Sequence, residues 1–261
     1  MTREAGPYAE VARALAGTAF ASISYVEETE STNADAAARL DDERFGGHTI
    51  VAEYQRRGAG RKGRPWQAAA GMALLFTTIL PLAVGTEKLW AVPFWVALAV
   101  RAGLSRCGVM TTLQWPNDLL LDERKVAGVL CQSSVTGTTA HVACGVGINV
   151  HRWRDAATSI TPPPAFCDEV AAIDRGALLQ AILVEYERSL SMLDEPERII
   201  RAWDEGAGLP GRRYRIQPDH DAQPFEGIAQ GLASGGGLRI VRDDGKRETI
   251  ALADARVLRK A

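Results

Sequence analysis

Cysteine and histidine are scarce in this chain, which contains four of each among 261 residues. Cys107, Cys131, Cys144 and Cys167 form no C-x-x-C motif, and no histidine lies beside them at ligand spacing. Structural zinc sites and disulfide frameworks require clustered or regularly spaced cysteines. We therefore expect neither, and the pattern favours the reducing environment of the cytoplasm.

Long apolar runs and targeting signals are also missing. The apolar stretches Leu74–Val84 and Leu89–Val100 are separated by a glycine and by charged residues, and each is shorter than the roughly 20 residues that a transmembrane helix needs. The first residues include Glu4 and Glu10 and lack a continuous apolar core, so they do not resemble a signal peptide. We expect no association with a membrane.

An excess of positive charge is the third absence. The 30 basic and 32 acidic residues give a net charge of −2, which argues against non-specific binding of nucleic acid. Hydrophobic residues make up 46% of the chain and charged residues 24%. These proportions are typical of a globular protein with a packed core.

Patterned segments predict an α+β chain in two units. Strands are predicted at Ile23–Val26, Thr49–Tyr54, Met72–Leu80, Thr111–Gln114, Asp118–Leu121, Lys125–Gln132 and Ala140–Asn149. Helices are predicted from the Ser31 or Thr32 cap to Leu40, at Thr86–Cys107 with Pro93 as a kink or late start, at Asp174–Leu193 and at Glu197–Asp204. From Leu209 onward, short β runs alternate with proline and glycine turns, as in a small β-barrel. A boundary near Gly206–Pro210 gives units of residues 1–207 and 208–261.

The segment from Gly58 to Gly63 reads Gly-Ala-Gly-Arg-Lys-Gly, formally a G-x-G-x-x-G. A dinucleotide fingerprint needs a helix directly after it and an acidic residue about 20 positions further on, and both are missing. A P-loop needs Lys-Ser/Thr where Arg64-Pro65 stands. What remains is a flexible loop with five cations and no acid, suited to enclosing an anion or to forming a solvated basic turn; the cations are Arg56, Arg57, Arg61, Lys62 and Arg64.

Three further landmarks each allow two interpretations. Trp115-Pro116-Asn117-Asp118 offers an amide and a carboxylate for magnesium or a ribose, or is an ordinary β-turn. Lys125, three residues before Gly128, could hold a carboxylate or phosphate, or could protect a sheet edge. The two glycines of Gly145–Asn149 could receive a flat ligand or allow a tight sheet crossing.

Taken in order with Ser31-Thr32-Asn33 and the segment from Gln55 to Trp66, these landmarks closely resemble the biotin protein ligases (biotin–[acetyl-CoA-carboxylase] ligases). The resemblance extends from about Ser24 to Arg259. It implies a mixed-sheet catalytic domain of the class II aminoacyl-tRNA-synthetase-like, biotin–lipoate ligase fold, followed by an SH3-like β-barrel. It also implies activation of biotin with Mg-ATP to biotinyl-5′-AMP, and transfer of biotin to a lysine of a biotin carboxyl carrier domain.

The resemblance also implies roles for individual residues. Those expected to bind biotin are Ser31, Thr32, Asn33, Gln55, Gly58, Arg61, Trp66, Lys125 and Gly128. Those expected to bind ATP are Arg61, Arg64, Asn117, Lys125 and Asn149, with Asp118 serving Mg²⁺. Lys125, Arg61 and Arg64 are the expected catalytic residues, since they would hold the biotin carboxylate and the phosphates together.

The chain departs from the family pattern at two positions. The family loop commonly reads Gly-Arg-Gly-Arg-x-Gly, and Ala59 replaces its first arginine; Gln114 stands where a lysine commonly precedes Trp-Pro-Asn-Asp. Arg56 and Arg57 are candidates to replace the lost cation, and we expect activity to be retained. The alternatives are a lipoate or octanoate ligase or transferase, and a non-catalytic biotin or nucleotide sensor.

Some family members carry an N-terminal winged-helix domain that binds DNA. Here only about 20 residues precede the first predicted strand at Ile23, so we expect no DNA binding. Members often pair through a sheet edge near the active site, and a homodimer is a reasonable expectation.

Overall fold

A computed structural model describes residues 3–154, 160, 162–218, 223–252 and 255–257. Its larger part is a nine-stranded sheet in the order β1-β2-β3-β4-β9-β8-β7-β6, with β5 paired to β9. The strands are β1 Arg3–Glu4, β2 Ile23–Thr29, β3 Thr49–Gln55, β4 Ala73–Ile79, β5 Val84–Gly85, β6 Thr112–Gln114, β7 Asp118–Leu121, β8 Arg124–Thr136 and β9 Thr139–Asn149. Only β2 and β3 pair in parallel, so the sheet is mixed, as predicted.

Helices cover both faces of this sheet. They are α1 Ala9–Ala14, α2 Thr32–Ala37, α3 Val92–Arg106, α4 Arg175–Ser189 and α5 Pro196–Ala207. On β3, Val51 belongs to the main core with α3 and α4, whereas its neighbour Ile50 packs against Ala36 of α2. Successive strand residues point to opposite faces, so α2 lies on the face opposite the main core.

The long helix predicted for Thr86–Cys107 begins later than expected. A 3-10 helix spans Thr86–Ala91, and α3 starts at Val92 with Pro93 in its first turn. Proline lacks an N–H, which the first turn of a helix does not need, so it marks a start there rather than a kink. Within the described residues, no helix has the length and hydrophobicity that a bilayer crossing requires.

The C-terminal part is a five-stranded antiparallel sheet in the order β13-β12-β11-β10-β14. Its strands are β10 Arg213–Pro218, β11 Phe225–Leu232, β12 Leu238–Arg242, β13 Arg247–Ile250 and β14 Ala255–Val257. Its buried residues, such as Tyr214 and Ile240, join the same hydrophobic cluster as Phe94 of α3 and Trp203 of α5. The rings of Phe94 and Trp203 meet edge to face with centroids 4.7 Å apart, and the N–H of Leu232 in β11 donates to Asp204 Oδ1 of α5 at 2.9 Å, so the small sheet rests directly on the helical layer.

Candidate active site

The described residues enclose a cavity of about 220 Å³ between α2, strands β8 and β9, and the loop before β4. Of the thirteen residues with expected roles, eleven line this cavity: Ser31, Thr32, Asn33, Gln55, Arg61, Arg64, Trp66, Asn117, Lys125, Gly128 and Asn149. The other two lie just behind the wall, where Gly58 contacts Trp66 and Asp118 contacts Lys125. Residues far apart in sequence are therefore brought to one site.

Polar side chains at the start of α2 form one wall. The backbone N–H of Thr32 donates to Gln55 Oε1 at 2.7 Å, and the Thr32 hydroxyl lies 3.0 Å from the same oxygen. Asn33 Nδ2 donates to the carbonyl of Leu130 at 2.9 Å, while Thr77 Oγ1 donates to Asn33 Oδ1 at 2.6 Å. Because these groups hold one another in buried positions, they present a fixed hydrogen-bonding surface.

Three glycines of β8 and β9 make space for the side chains that line the cavity. A Cβ atom on Gly145 would lie 1.8 Å from Asn33 Oδ1, and one on Gly147 would lie 2.6 Å from Trp66 Cε2. A Cβ on Gly128 would lie 2.8 Å from Lys125 Nζ. No real side chain tolerates such separations, so close approach rather than backbone flexibility explains these glycines.

The glycine-rich loop is folded back on itself. The N–H of Trp66 donates to the Gly58 carbonyl at 2.7 Å, and the N–H of Gly60 donates to the Arg64 carbonyl at 2.7 Å. A Cβ on Gly58 would lie 2.8 Å from the Trp66 carbonyl oxygen, so glycine is needed for this narrow turn. The guanidinium of Arg61 donates to the carbonyl of Leu252, which follows β13.

Arg56 and Arg57 lie outside the cavity. Arg56 bridges Glu28 and Glu30 at 2.7 and 2.6 Å, and Arg57 lies 3.2 Å from Glu30. The Arg57 side chain is 86% exposed. The expectation that one of them replaces the arginine missing at Ala59 therefore finds no support in these contacts.

Lys125 lines the cavity beside Gly128 and Trp66. Its Nζ lies 2.6 Å from Asp118 Oδ1 and 5.2 Å from the centre of the Trp66 ring. Asn117 Nδ2 donates to the Val129 carbonyl at 2.6 Å, and Asn149 Nδ2 donates to the Lys125 and Ala165 carbonyls at 3.3 and 3.2 Å. Together with Arg61 and Arg64, Lys125 makes the cavity positive, which suits an anion.

A protein-built metal centre is not found among the residues that the structure describes, which contain no cluster of three acidic, histidine or cysteine side chains able to hold an ion. Asp118 supplies one carboxylate beside the cavity. Mg²⁺ is commonly bound by one or two carboxylates together with substrate phosphates. The donor set therefore fits an ion that enters with a nucleotide.

Several lining residues have no expected role in the sequence analysis. Thr77 does not line the cavity, but it binds the lining residue Asn33 from the buried strand β4. Ala59 and Gln67 lie on the glycine-rich loop segment, and the proline-rich stretch after β9 contributes Ile160, Pro162 and Pro164. That stretch places an apolar rim across from the basic loop.

Comparison with known proteins shows the family to which the chain belongs. Residues 25–149 match the family model described as the biotin/lipoate A/B protein ligase family. A biotin–[acetyl-CoA-carboxylase] ligase of Paracoccus denitrificans is 32% identical over 236 residues, which cover 87% of this chain and 96% of that protein. The Mycobacterium tuberculosis ligase of the same name is 29% identical over 252 residues, covering 91% and 89% of the two chains.

A similar fold is found in the Aquifex aeolicus biotin protein ligase, solved in complex with biotin and ATP. It superposes with a TM-score of 0.72 over 91% of this chain and 99% of that one, at 23% identity. At that identity the likeness concerns the fold alone. The relationship to the Paracoccus protein spans nearly both full lengths, and the chain belongs to the biotin–[acetyl-CoA-carboxylase] ligase family.

Proposed function

We propose that this chain is an ATP-dependent biotin protein ligase. The biotin carboxylate attacks the α-phosphorus of ATP, which forms biotinyl-5′-AMP and releases pyrophosphate. A lysine amine of a carrier domain then attacks the acyl carbon, which forms the amide and releases AMP. The observation that carries the proposal is a single cavity with a fixed polar wall at α2 and three cations in its lining.

The polar wall suits the ureido head group of biotin. The hydroxyls and amides of Ser31, Thr32, Asn33 and Gln55 offer donors and acceptors in held positions. A planar urea needs both kinds of partner, and a buried site that lacks one would bind it weakly. Trp66 crosses the cavity over Gly147 and forms an apolar wall for the ring system and the chain.

The cationic lining suits adenylate formation. A carboxylate and a triphosphate repel each other, so an enzyme must hold them together and neutralise the charge that develops at the α-phosphate. Lys125, Arg61 and Arg64 supply this charge, and the reaction needs no covalent nucleophile from the protein. Asn117 and Asn149 are the proposed nucleotide contacts, and Asp118 is the proposed ligand of the Mg²⁺ that accompanies ATP.

The glycine-rich loop protects the mixed anhydride. Biotinyl-5′-AMP reacts with water, so it must be enclosed until the carrier lysine arrives. Gly58, Gly60 and Gly63 allow the loop to open and close, while Arg61 and Arg64 attract it to an anionic ligand. Gly128 leaves space for the adenylate next to Lys125.

The proposed partner is the biotin carboxyl carrier domain of a biotin-dependent carboxylase. Within the part of the chain that the structure describes, β8 beyond Gly128 pairs only with β9, and its residues Gln132, Ser133 and Val135 are exposed and uncharged. Such an edge can accept another strand. We propose that the carrier domain binds at this edge, or that a second copy of the chain binds there in a homodimer. The proposed location of the reaction is the cytoplasm, where ATP and the carboxylase meet.

The two-unit organisation is also part of the proposal. Residues 1–207 would form a catalytic domain of the class II aminoacyl-tRNA-synthetase-like type, and residues 208–261 an SH3-like barrel. The change from helix α5, which ends at Ala207, to the short strands that begin with β10 supports a boundary there.

Pyrophosphate release from Mg-ATP tests the function directly. We expect release that depends on biotin, followed by biotin on a carrier-domain lysine. Release that depends on lipoate or octanoate would instead identify the chain as a lipoate or octanoate ligase. Biotin binding without release would identify a sensor and would contradict the proposal.

A further inference from the structure

Two loops that line the cavity are held by the C-terminal sheet. The Arg61 guanidinium of the glycine-rich loop donates to the Leu252 carbonyl. The indole N–H of Trp115, which directly precedes Pro116 and Asn117, donates to the Gly236 carbonyl at 3.0 Å. Trp115 is 1% exposed, so its hydrogen bond is sheltered from water.

The two residues that supply these carbonyls are neighbours, because the Leu252 side chain packs on the Gly236 backbone. A Cβ on Gly236 would lie 3.1 Å from Leu252 Cδ1 and 2.5 Å from Phe94 Cε2. Phe94 is fully buried in α3. We name Gly236, Leu252 and their contact the Gly236–Leu252 corner; it rests on the helical layer and reaches both cavity loops.

We propose that the Gly236–Leu252 corner positions Arg61 for the nucleotide phosphates before ATP binds. This inference rests on the proposed ligase function and adds a role for residues that touch no substrate. The corner acts through Arg61 and Trp115, so its residues are positioning residues.

Anchoring should favour binding rather than oppose it. A guanidinium carries five N–H donors in one plane, so a carbonyl at one end orients the group for an anion at another edge. A glycine-rich loop without an anchor samples many conformations, and ATP binding would then bear the whole entropic cost of ordering it. The Leu252 carbonyl carries no net charge, so a phosphate displaces it from Arg61 when closure of the loop requires this.

Two adjacent glycines provide a matched test. Gly235 and Gly236 both have positive φ, at +89° and +78°, but a Cβ on Gly235 would meet nothing within 4 Å. Gly235→Ala therefore introduces backbone strain alone, whereas Gly236→Ala adds the clash that displaces the corner. The measurements are hydrogen–deuterium exchange of residues 58–66 without ligand, and KM for ATP and for biotin.

We expect Gly236→Ala to accelerate exchange of the loop and to raise KM for ATP roughly ten-fold over Gly235→Ala, equivalent to about 1.4 kcal/mol. KM for biotin should rise less than KM for ATP, because the α2 wall lies on other elements and only the loop side of the biotin site, with Arg61 and Trp66, is disturbed. Equal loop exchange and equal KM for ATP in the two variants would overturn the proposal.

If Gly236→Ala does not fold, Leu252→Ala serves as the second test variant. It removes the side chain that packs on Gly236 and adds no backbone strain. It should also accelerate loop exchange, and unchanged exchange would count against the anchor. The exchange comparison needs no catalysis. An unaltered chain that releases no pyrophosphate would therefore contradict the ligase function while leaving the anchor testable.

Discussion

The ammonium of Lys125 and the carboxylate of Asp118 form an ion pair of 2.6 Å at the wall of the cavity, with side chains only 24% and 10% exposed. The pair joins a proposed catalytic cation to a proposed magnesium ligand. It holds the lysine ammonium over Gly128, beside the cavity.

Lys125→Met should abolish biotin-dependent pyrophosphate release and also destabilise the protein. The substitution removes the cation and leaves a mostly buried carboxylate without its partner, which we expect to lower the free energy of unfolding by roughly 1–3 kcal/mol. Pyrophosphate assays and urea denaturation measure the two effects. In the double variant Lys125→Met, Asp118→Asn, stability should largely return while activity stays lost; recovery of activity would exclude a catalytic role for Lys125.

Much of the lining of this cavity could be predicted from sequence, because the motifs that carry the family resemblance lie at or just after the ends of strands. Ser31 to Asn33 follow β2, Gln55 ends β3 and Asn149 ends β9, so each motif lies where a strand leaves the core. Thr77 was missed because nothing in the local pattern of β4 distinguishes a threonine that binds Asn33 from a threonine in a sheet.

Long-range contacts account for the other misses. Arg61 and Leu252 are 191 positions apart, and nothing in either segment indicates that they meet. Arg56 was a candidate to replace the missing arginine because its immediate sequence neighbours include no acid. Its acidic partners, Glu28 on β2 and Glu30 just after that strand, come close only in the folded chain. Such pairings depend on tertiary structure, which local patterns do not encode.

Gly145→Ala should impair the recognition of biotin, and Gly147→Ala should act through Trp66 instead. The first substitution displaces Asn33 from its contacts with Thr77 and Leu130, and the second pushes the indole off the sheet. We expect KM for biotin to rise at least about ten-fold for Gly145→Ala, a loss comparable to one hydrogen-bonding group.

Tryptophan fluorescence separates the two variants. The fluorescence should change for Gly147→Ala and stay unchanged for Gly145→Ala, because Gly147 lies against Trp66 and Gly145 does not. An unaltered KM for biotin in Gly145→Ala would show that Asn33 does not bind the head group.

Ala59→Arg should strengthen the binding of nucleotide. Ala59 lines the cavity beside Arg61, and Arg56 and Arg57 do not take its place, since they pair with Glu28 and Glu30. A new charge-assisted hydrogen bond to a phosphate contributes up to about 1.5–3 kcal/mol, and exposure at the cavity mouth reduces this. We expect KM for ATP to fall several-fold and biotinyl-5′-AMP to be released more slowly, as measured by filter binding. Ala59→Gln, of similar length but uncharged, is the control and should have neither effect.

Acidification should destabilise the fold through His48, at the start of β3. Its ring nitrogens lie 2.7 Å from Ser22 Oγ and 2.9 Å from Ser24 Oγ. Burial, and secondly the charge of Arg39, lower the pKa of His48 below its ordinary value of 6.5. The unfolded chain therefore takes up a proton as the pH falls through that value, whereas the folded chain takes it up only at lower pH. Linkage then requires that the free energy of unfolding decrease on acidification from about pH 7.

Urea denaturation at a series of pH values between 5 and 8 measures this effect, with His48→Gln as the comparison. Glutamine keeps a hydrogen-bonding group near Ser22 and Ser24 but does not titrate. The variant should lose the part of the pH dependence that begins near neutrality, while the dependence from carboxylates at lower pH remains. If the two proteins gave parallel curves of unfolding free energy against pH, His48 would have the same proton affinity in the folded and unfolded chains. The contacts with the strand β2 and with Arg39 would then have no influence on its charge.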